Sequence, residues 1–145
     1  MTDMTLGGVR TASRGYWVGA VLSTLWMAIG CFMYLYEVTL DPATLPPDVR
    51  AMTEAIPDWM WAAFALSVWV GLAGTIMLLL RRRLAVPLIG FSVLAELAQN
   101  SAYLIDPDLK AATPAGSLWL PAIITAITFC VFLFALNASK RGILR

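Results

Sequence analysis

Residues 59–104 read WMWAAFALSVWVGLAGTIMLLLRRRLAVPLIGFSVLAELAQNSAYL. Two apolar runs flank the three consecutive arginines Arg81–Arg83, and each run holds about 20 residues, the length of helix that crosses a bilayer core. Glu96 is the one acidic or basic side chain inside either run. Because a chain in lipid must satisfy its own backbone hydrogen bonds, continuous apolar runs of this length favour helices. The stretch therefore predicts two membrane-spanning helices joined by a tight turn, an antiparallel hairpin.

Two further apolar runs lie on either side of this stretch, so the predicted spans are residues 16–36, 59–80, 84–104 and 118–136. The composition agrees, because 60% of the chain is hydrophobic and 13% is charged, whereas a soluble domain is about half apolar and a quarter charged. The sequence predicts an all-α membrane protein: a single domain over 1–145, built as a four-helix bundle of two antiparallel hairpins. In the outer loop, 37–58, the spacing of Val49, Met52 and Ile56 predicts a short interfacial helix.

Basic residues are distributed unequally on the two sides of the predicted spans. Only Arg50 and Lys110 lie on the side of the 37–58 loop. The other eight lie on the opposite side: Arg10, Arg14, Arg81, Arg82, Arg83, Lys140, Arg141 and Arg145. Cytoplasmic loops carry the excess of arginine and lysine, so both termini are predicted to be cytoplasmic. The preference for arginine over lysine and the abundance of alanine are typical of GC-rich bacterial genomes, which favours a bacterial inner membrane.

The composition also excludes several classes of function. The chain has no histidine, which removes His-ligated haem, His-ligated zinc and Ser-His-Asp chemistry. The two lysines, Lys110 and Lys140, lie outside the spans, so no lysine is placed to form a buried Schiff base. A net charge of +1 supplies no basic surface for nucleic acid. No nucleotide-binding motif is present, and we expect no catalytic residues, no metal site, no cofactor and no enzymatic activity.

One helix face of the third span is polar. Ser92, Glu96, Gln99 and Tyr103 follow one another at steps of four, three and four residues, with Asn100 alongside, and this spacing places them on one side of a helix. Glu96 falls near the middle of the bilayer, where a carboxyl group is costly and rarely faces lipid. These five residues, together with Trp26 and Trp69 at similar depth, form the predicted ligand-binding set.

Three roles for Glu96 are open at this point. It could be a structural clamp in which a neutral Glu96 donates a hydrogen bond to Thr125, Thr128 or Ser23 on another span, with Gln99 and Asn100 as further polar contacts. It could form a proton-linked or cation-binding site, in which Trp26 and Trp69 offer aromatic faces to a lipophilic cation. It could also contact another subunit.

The segment from Pro57 to Leu94 resembles a family of small bacterial four-transmembrane-helix proteins of unknown function, some of them loosely labelled sugar transporters. The resemblance lies in the W-x-x-A-F-A-L-x-V-W-x-G-x-x-G core, in the arginine-rich turn and in the A-V-P opening of the third span. The matching residues here are Trp59, Ala63, Phe64, Ala65, Leu66, Val68, Trp69, Gly71, Gly74, Arg81, Arg83, Ala85, Val86 and Pro87. The resemblance implies no catalytic residues, and Glu96 is a departure from the family pattern.

Two functions from different classes follow as expectations. The first is an accessory or assembly subunit of a membrane complex, without catalytic activity. The second is a small oligomeric transporter or small-molecule binder that uses the Glu96 face. The expected partners are membrane lipids and either other membrane protein subunits or further copies of this chain.

Overall fold

The structure, a computed structural model, describes residues 11–114 and 116–145. It is 81% helix, and no strand occurs within those ranges. Arg10, one of the residues behind the predicted topology, lies outside them. The helices are α1 (Arg14–Thr39), α2 (Pro47–Glu54), α3 (Asp58–Leu79), α4 (Ala85–Ile105), α5 (Pro107–Ala112) and α6 (Trp119–Lys140), with a short 3-10 turn at Pro42–Thr44.

Four of the described helices, α1, α3, α4 and α6, are long and apolar enough to cross a membrane. Their outward surfaces are apolar as well: Leu22, Phe32, Leu94 and Trp119 are each at least 60% exposed. An exposed apolar surface of this extent is a liability in water, but it is the surface that lipid tails require. The structure thus agrees with the predicted all-α, multi-pass membrane protein.

The predicted spans and these helices agree to within one to four residues at each end. The largest differences are at the ends of α1 and α6, which continue to Thr39 and Lys140 instead of stopping at 36 and 136. A hydropathy pattern ends at the first polar residues, whereas helical hydrogen bonding continues through them. The 37–58 segment contains α2, and the sequence did not predict α5, because six residues are too few to show a hydrophobic period.

Side chains and backbone geometry define where several helices begin and end. The Ser13 hydroxyl caps α1 by accepting a hydrogen bond from a first-turn amide at 3.2 Å. Asp106 ends α4 and caps α5, since its Oδ1 accepts hydrogen bonds from the amides of Asp108 and Leu109 at 3.0 Å each. Arg81 follows α3 in the left-handed region with φ of 56°, which turns the chain toward α4.

The closest helix contact in the bundle is between α3 and α4. A Cβ atom at Gly71 would lie 2.6 Å from the Ser92 hydroxyl, and one at Gly74 would lie 2.7 Å from a side-chain carbon of Ile89. Ser92 also donates a 2.6 Å hydrogen bond to the carbonyl oxygen of Ser67. Helices in lipid associate through small residues that let their backbones approach, and here two glycines of α3 provide that approach.

Helices α1 and α6 meet at one end of the bundle, which we call the arginine end because it carries Arg14, the turn 81–83 and Lys140. There the rings of Tyr16 and Phe134 stack at a centroid distance of 5.8 Å. Phe134 also packs over Gly19, where a Cβ atom would meet the ring at 2.7 Å. Towards the opposite end, which we call the α2/α5 end, the two helices separate.

The segment after α6 folds back onto the turn between α3 and α4. The amide of Arg83 donates to the carbonyl oxygen of Arg145 at 2.8 Å, and the amide of Arg145 donates to the carbonyl oxygen of Arg81 at 2.6 Å. Leu144, between these bonds, is 1% exposed and belongs to the core at the arginine end. The arginine end is therefore closed by packing and by backbone hydrogen bonds.

Tyr16→Phe should lower the free energy of unfolding by about 1 kcal/mol, the net value of one buried hydrogen bond. The Tyr16 hydroxyl donates to the carbonyl oxygen of Leu78 at 2.6 Å, and both residues are buried. Unfolding in mixed micelles by titration with sodium dodecyl sulfate, followed by circular dichroism, measures the change. Tyr36→Phe is the control, because the Tyr36 side chain is 52% exposed. Equal effects of the two substitutions would contradict the prediction.

Candidate ligand-binding cavity

A cavity of about 590 Å³ occupies the α2/α5 half of the bundle. Its walls come from all four long helices, and residues of α2 and the preceding loop, such as Leu45, Val49 and Met52, line the end that we call its mouth. At its floor, the part nearest the arginine end, are Trp26, Thr128 and Glu96. The cavity exists because α1 and α6 separate beyond the level of Trp26 and Thr128.

Glu96 of α4 is buried, with 6% of its surface exposed, and it lines the floor of the cavity. Its Oε1 atom is 3.1 Å from the hydroxyl oxygen of Thr125 on α6, which donates to it. This bond connects α4 to α6 through Thr125, one of the partners that the structural-clamp hypothesis named, although the hypothesis had Glu96 as the donor. Glu96 therefore faces both a neighbouring helix and open space, so a clamp role and a ligand-binding role are compatible.

The Thr125 hydroxyl lies within hydrogen-bonding distance of two acceptors but has one proton to donate. It accepts a hydrogen bond from Asn100 Nδ2 at 2.7 Å, and it is 3.0 Å from the carbonyl oxygen of Pro121 in its own helix. A hydroxyl carries one proton and two acceptor lone pairs. When Glu96 is ionised, that proton can go to Glu96 or to Pro121; when Glu96 is neutral, the carboxylic acid can donate to Thr125 instead. The protonation state of Glu96 thus decides the direction of this hydrogen bond.

Trp26 of α1 closes the floor from the other side. Its indole Nε1 donates to the hydroxyl oxygen of Thr128 on α6 at 3.5 Å, and Thr128 is 3% exposed. The same hydroxyl is 3.0 Å from the carbonyl oxygen of Ile124, to which it donates. An aromatic ring and a carboxyl group consequently face the same end of the cavity.

Gln99 and Tyr103 continue the polar face of α4 from Glu96 towards the mouth. Both also line a smaller adjoining cavity of about 40 Å³, together with Glu37, Trp61 and other residues. That volume holds one or a few water molecules. In the part of the chain that the structure describes, the Gln99 side-chain amide makes no hydrogen bond to protein and is left facing the two cavities.

Glu37 is a cavity residue that the sequence analysis missed. The sequence placed it at the start of an outer loop, whereas it lies in the last turn of α1 and lines both cavities. Its position relative to α4 depends on how the helices pack, so its own helix period could not reveal it. The aromatic residues Trp61 and Phe64 of α3 were missed as cavity residues for the same reason.

Five of the seven predicted ligand-binding residues line the cavity: Glu96, Gln99, Asn100, Tyr103 and Trp26. Ser92 and Trp69 do not join them. Ser92 is fully buried in the contact with α3, where it bonds to Ser67. Trp69 is 46% exposed, because it lies two residues after Ser67 and so about 200° around the helix from the cavity wall.

The cavity wall is apolar apart from a small number of polar groups. Among the described residues that line it, Glu37 and Glu96 are the only ones with an acidic or basic side chain, and both are carboxyl groups. Nowhere in the described ranges do three or more His, Cys, Asp or Glu side chains come together as a metal site would need. The arrangement suits an organic molecule with a large apolar part and one polar end.

Comparison with known protein families, with characterised proteins and with solved structures finds no match for this chain.

Proposed function

We propose that this protein binds an amphiphilic small molecule within the membrane, in the cavity between α1, α3, α4 and α6. The observation that carries the proposal is the cavity itself, with a volume of about 590 Å³ and the buried Glu96 at its floor. Pockets for small organic ligands have volumes of about 300 to 1,000 Å³, apolar walls and a few converging polar groups. A protein that binds a ligand in this way would act either as a small-molecule binder or as a transporter formed by several copies of the chain.

The separation of α1 and α6 supports entry of the ligand from the lipid. Ile29 and Met33 of α1 face the cavity from one side, and Leu120 and Ile124 of α6 face it from the other. These four side chains are apolar and also 37–58% exposed on the outside of the bundle, so an alkyl or aromatic group between α1 and α6 stays in an apolar environment. A ligand concentrated in the bilayer would reach Glu96 by this route.

The proposed orientation places the arginine end in the cytoplasm of a bacterial cell, with two antiparallel hairpins in the inner membrane and both termini inside. The support is the unequal distribution of basic residues, and the hydrogen bonds between the turn at Arg81–Arg83 and Arg145 bring two of these groups to one end. In this orientation the mouth, lined by α2, lies on the outer side of the membrane.

A second candidate function is an accessory subunit of a membrane complex. The observation that favours it is the same gap between α1 and α6, because an apolar helix of another subunit could fill the space instead of a ligand. The two candidates differ in what the gap holds after purification in a mild detergent. A stoichiometric protein partner would support the accessory role, whereas a homogeneous chain with an accessible cavity would support binding.

Filling the cavity should prevent binding of a neutral hydrophobic probe. Ile124 lines the cavity, whereas its neighbour Ile123 is 48% exposed and does not. Ile124→Trp is therefore expected to lower the saturable binding of N-phenyl-1-naphthylamine to protein in lipid nanodiscs by about tenfold, since the indole occupies part of the cavity. The emission of the directly excited probe, after subtraction of empty nanodiscs, gives the bound fraction.

Ile123→Trp is the matched control, with the same change in side chain one residue away. We expect it to bind the probe as the unchanged protein does. Equal binding by both variants would contradict the proposed function, and so would a lack of saturable binding to the unchanged protein.

A further inference from the structure

We propose that the ligand of this cavity is a lipophilic organic cation, held with its positive group between Glu96 and Trp26 and with its apolar part along the gap between α1 and α6. The proposal rests on the proposed function and adds the chemical class of the ligand. Its basis is the sign of the charges that line the cavity, the chemistry of its floor and the composition of its walls.

All acidic or basic groups in the described lining have the same sign. Helix α1 contributes Glu37 and α4 contributes Glu96, while the lining residues of α2, α3 and α6 carry no such group. The basic residue of α2, Arg50, pairs with Glu54 of the same helix, with an Nε to Oε1 distance of 2.8 Å. An anion would meet two carboxyl groups and no compensating cation, whereas a cation would find two possible counter-ions.

The floor of the cavity combines the groups that stabilise a desolvated cation. A charge taken out of water must be paired with an opposite charge, and Glu96 is the carboxyl group placed at the buried end. A cation is also attracted to the face of an aromatic ring, most strongly that of tryptophan. Trp26 lies at the same level, because its indole bonds to Thr128 on the helix that also holds Thr125, the partner of Glu96.

Glu37 at the mouth provides a second position for the same charge. Gln99 and Tyr103 lie between the two carboxyl groups along α4, and both face the adjoining water-sized cavity with Glu37. A cation at the α2/α5 end of the cavity would thus lie near Glu37, and one at the floor would lie near Glu96. Loss of Glu37 is expected to weaken binding less than loss of Glu96, because Glu96 is the more buried of the two carboxyl groups.

The walls favour a class of molecules over one particular shape. Met27, Met33 and Met52 line the cavity from α1 and α2. Methionine side chains are flexible and polarisable, and they adapt to ligands of different outline. The cavity would therefore select its ligand by the sign of the charge and by the size of the apolar part.

Three phenyl-substituted probes test this inference: tetraphenylphosphonium and tetraphenylborate, which share a tetraphenyl scaffold and differ in charge, and the neutral triphenylphosphine oxide, which has three phenyl rings. Their binding is measured by equilibrium dialysis against the full chain in nanodiscs of zwitterionic phosphatidylcholine, with empty nanodiscs subtracted. We expect saturable binding of the phosphonium at one molecule per chain or per pair of chains. The phosphine oxide is expected to bind about tenfold more weakly or less, and the borate is expected not to bind above the empty nanodiscs.

Glu96→Gln keeps the shape of the side chain and its ability to accept from Thr125, but removes the charge. It is expected to weaken phosphonium binding by about tenfold or more and to leave binding of the phosphine oxide unchanged. Trp26→Phe should weaken phosphonium binding by about two- to fivefold. Trp69→Phe is the matched control and should have no effect, since Trp69 lies outside the cavity.

The possible outcomes separate the two proposals. If the neutral probe or the borate binds as tightly as the phosphonium, or if Glu96→Gln binds the phosphonium as the unchanged protein does, the cation inference is wrong while the small-molecule function stands. If none of the three probes binds saturably but N-phenyl-1-naphthylamine does, the cation inference is wrong while the small-molecule function stands; if N-phenyl-1-naphthylamine does not bind either, both proposals fail. Circular dichroism and thermal stability of each variant exclude loss of the fold as the cause.

Discussion

Gly74→Leu is expected to separate α3 from α4 and to lower the free energy of unfolding by about 3 kcal/mol, at the upper end of the usual cost of overpacking. A Cβ atom at Gly74 would lie 2.7 Å from a side-chain carbon of Ile89 and 3.0 Å from its backbone nitrogen. A side chain can rotate away from such a contact, but a backbone nitrogen moves only with the whole of α4. The smaller change Gly74→Ala should cost about 1 to 2 kcal/mol for the same reason.

The control for this substitution is Gly15→Leu, in the first turn of α1. A Cβ atom there has one neighbour within 4 Å, the Ser13 hydroxyl at 3.8 Å. The free energy of unfolding should therefore stay within about 0.5 kcal/mol of the unchanged protein. Both variants are measured by titration with sodium dodecyl sulfate in mixed micelles. Similar losses at the two positions, or no loss at Gly74, would contradict the packing described for α3 and α4.

Thr125→Val is expected to lower the free energy of unfolding by about 1 to 2 kcal/mol. The substitution preserves the outline of the side chain and removes the hydroxyl that receives Asn100 Nδ2 at 2.7 Å and donates to Glu96 at 3.1 Å. Both of these side-chain hydrogen bonds link α4 to α6 through Thr125. Thr39→Val is the control, because the Thr39 hydroxyl is exposed and bonds only within α1.

A double-mutant cycle separates the contribution of Glu96 from that of Asn100. Combining Thr125→Val with Glu96→Leu should give a coupling free energy of about 0.6 kcal/mol and at most about 1.7 kcal/mol, the average and the maximum for hydrogen bonds between helices in a membrane. Glu96→Gln alone should leave stability almost unchanged, since the amide oxygen can still accept from Thr125. A coupling near zero would mean that Glu96 and Thr125 do not stabilise the bundle through this bond.

The stability and binding measurements on Glu96 together distinguish the roles proposed for it. If Glu96 acts only as a clamp, Glu96→Gln should change neither the stability of the protein nor its binding of any probe. If Glu96 is a counter-ion, Glu96→Gln should leave the stability unchanged and weaken binding of the cation alone. The two roles therefore make different predictions for the same variant.

The four long helices could be predicted from the sequence because their cause is local. A run of about 20 apolar residues is long enough to cross the bilayer core as a helix, whichever helices lie beside it. The observed helices differ from the predicted spans by one to four residues at each end. The grouping of Glu96, Gln99 and Tyr103 was predictable for the same reason, since a helix repeats every 3.6 residues. Neither result needs knowledge of a neighbouring helix.

The cavity could not be predicted, because it depends on which faces of different helices meet. Ser92 shares a face with Glu96, yet Gly71 brings α3 so close at that level that Ser92 becomes part of the helix contact. Glu96 lies one turn further along α4, where α4 borders the cavity, so its side chain faces open space. Glu37 and Trp26 reach the same space from α1, which no periodicity within α4 could indicate.

The sequence by itself determined the number of long helices, their approximate lengths and the polar face of α4, since each depends on residues within one helix and on the thickness of the membrane. Only the tertiary structure decided that α1 and α6 meet around Tyr16 and Phe134 and separate beyond Trp26. The physical reason is that apolar helices gain little from excluding lipid, so their arrangement depends on where small residues permit close packing and where bulky ones prevent it. At Glu96 this packing leaves a carboxyl group between a hydrogen-bonded neighbour and an open cavity.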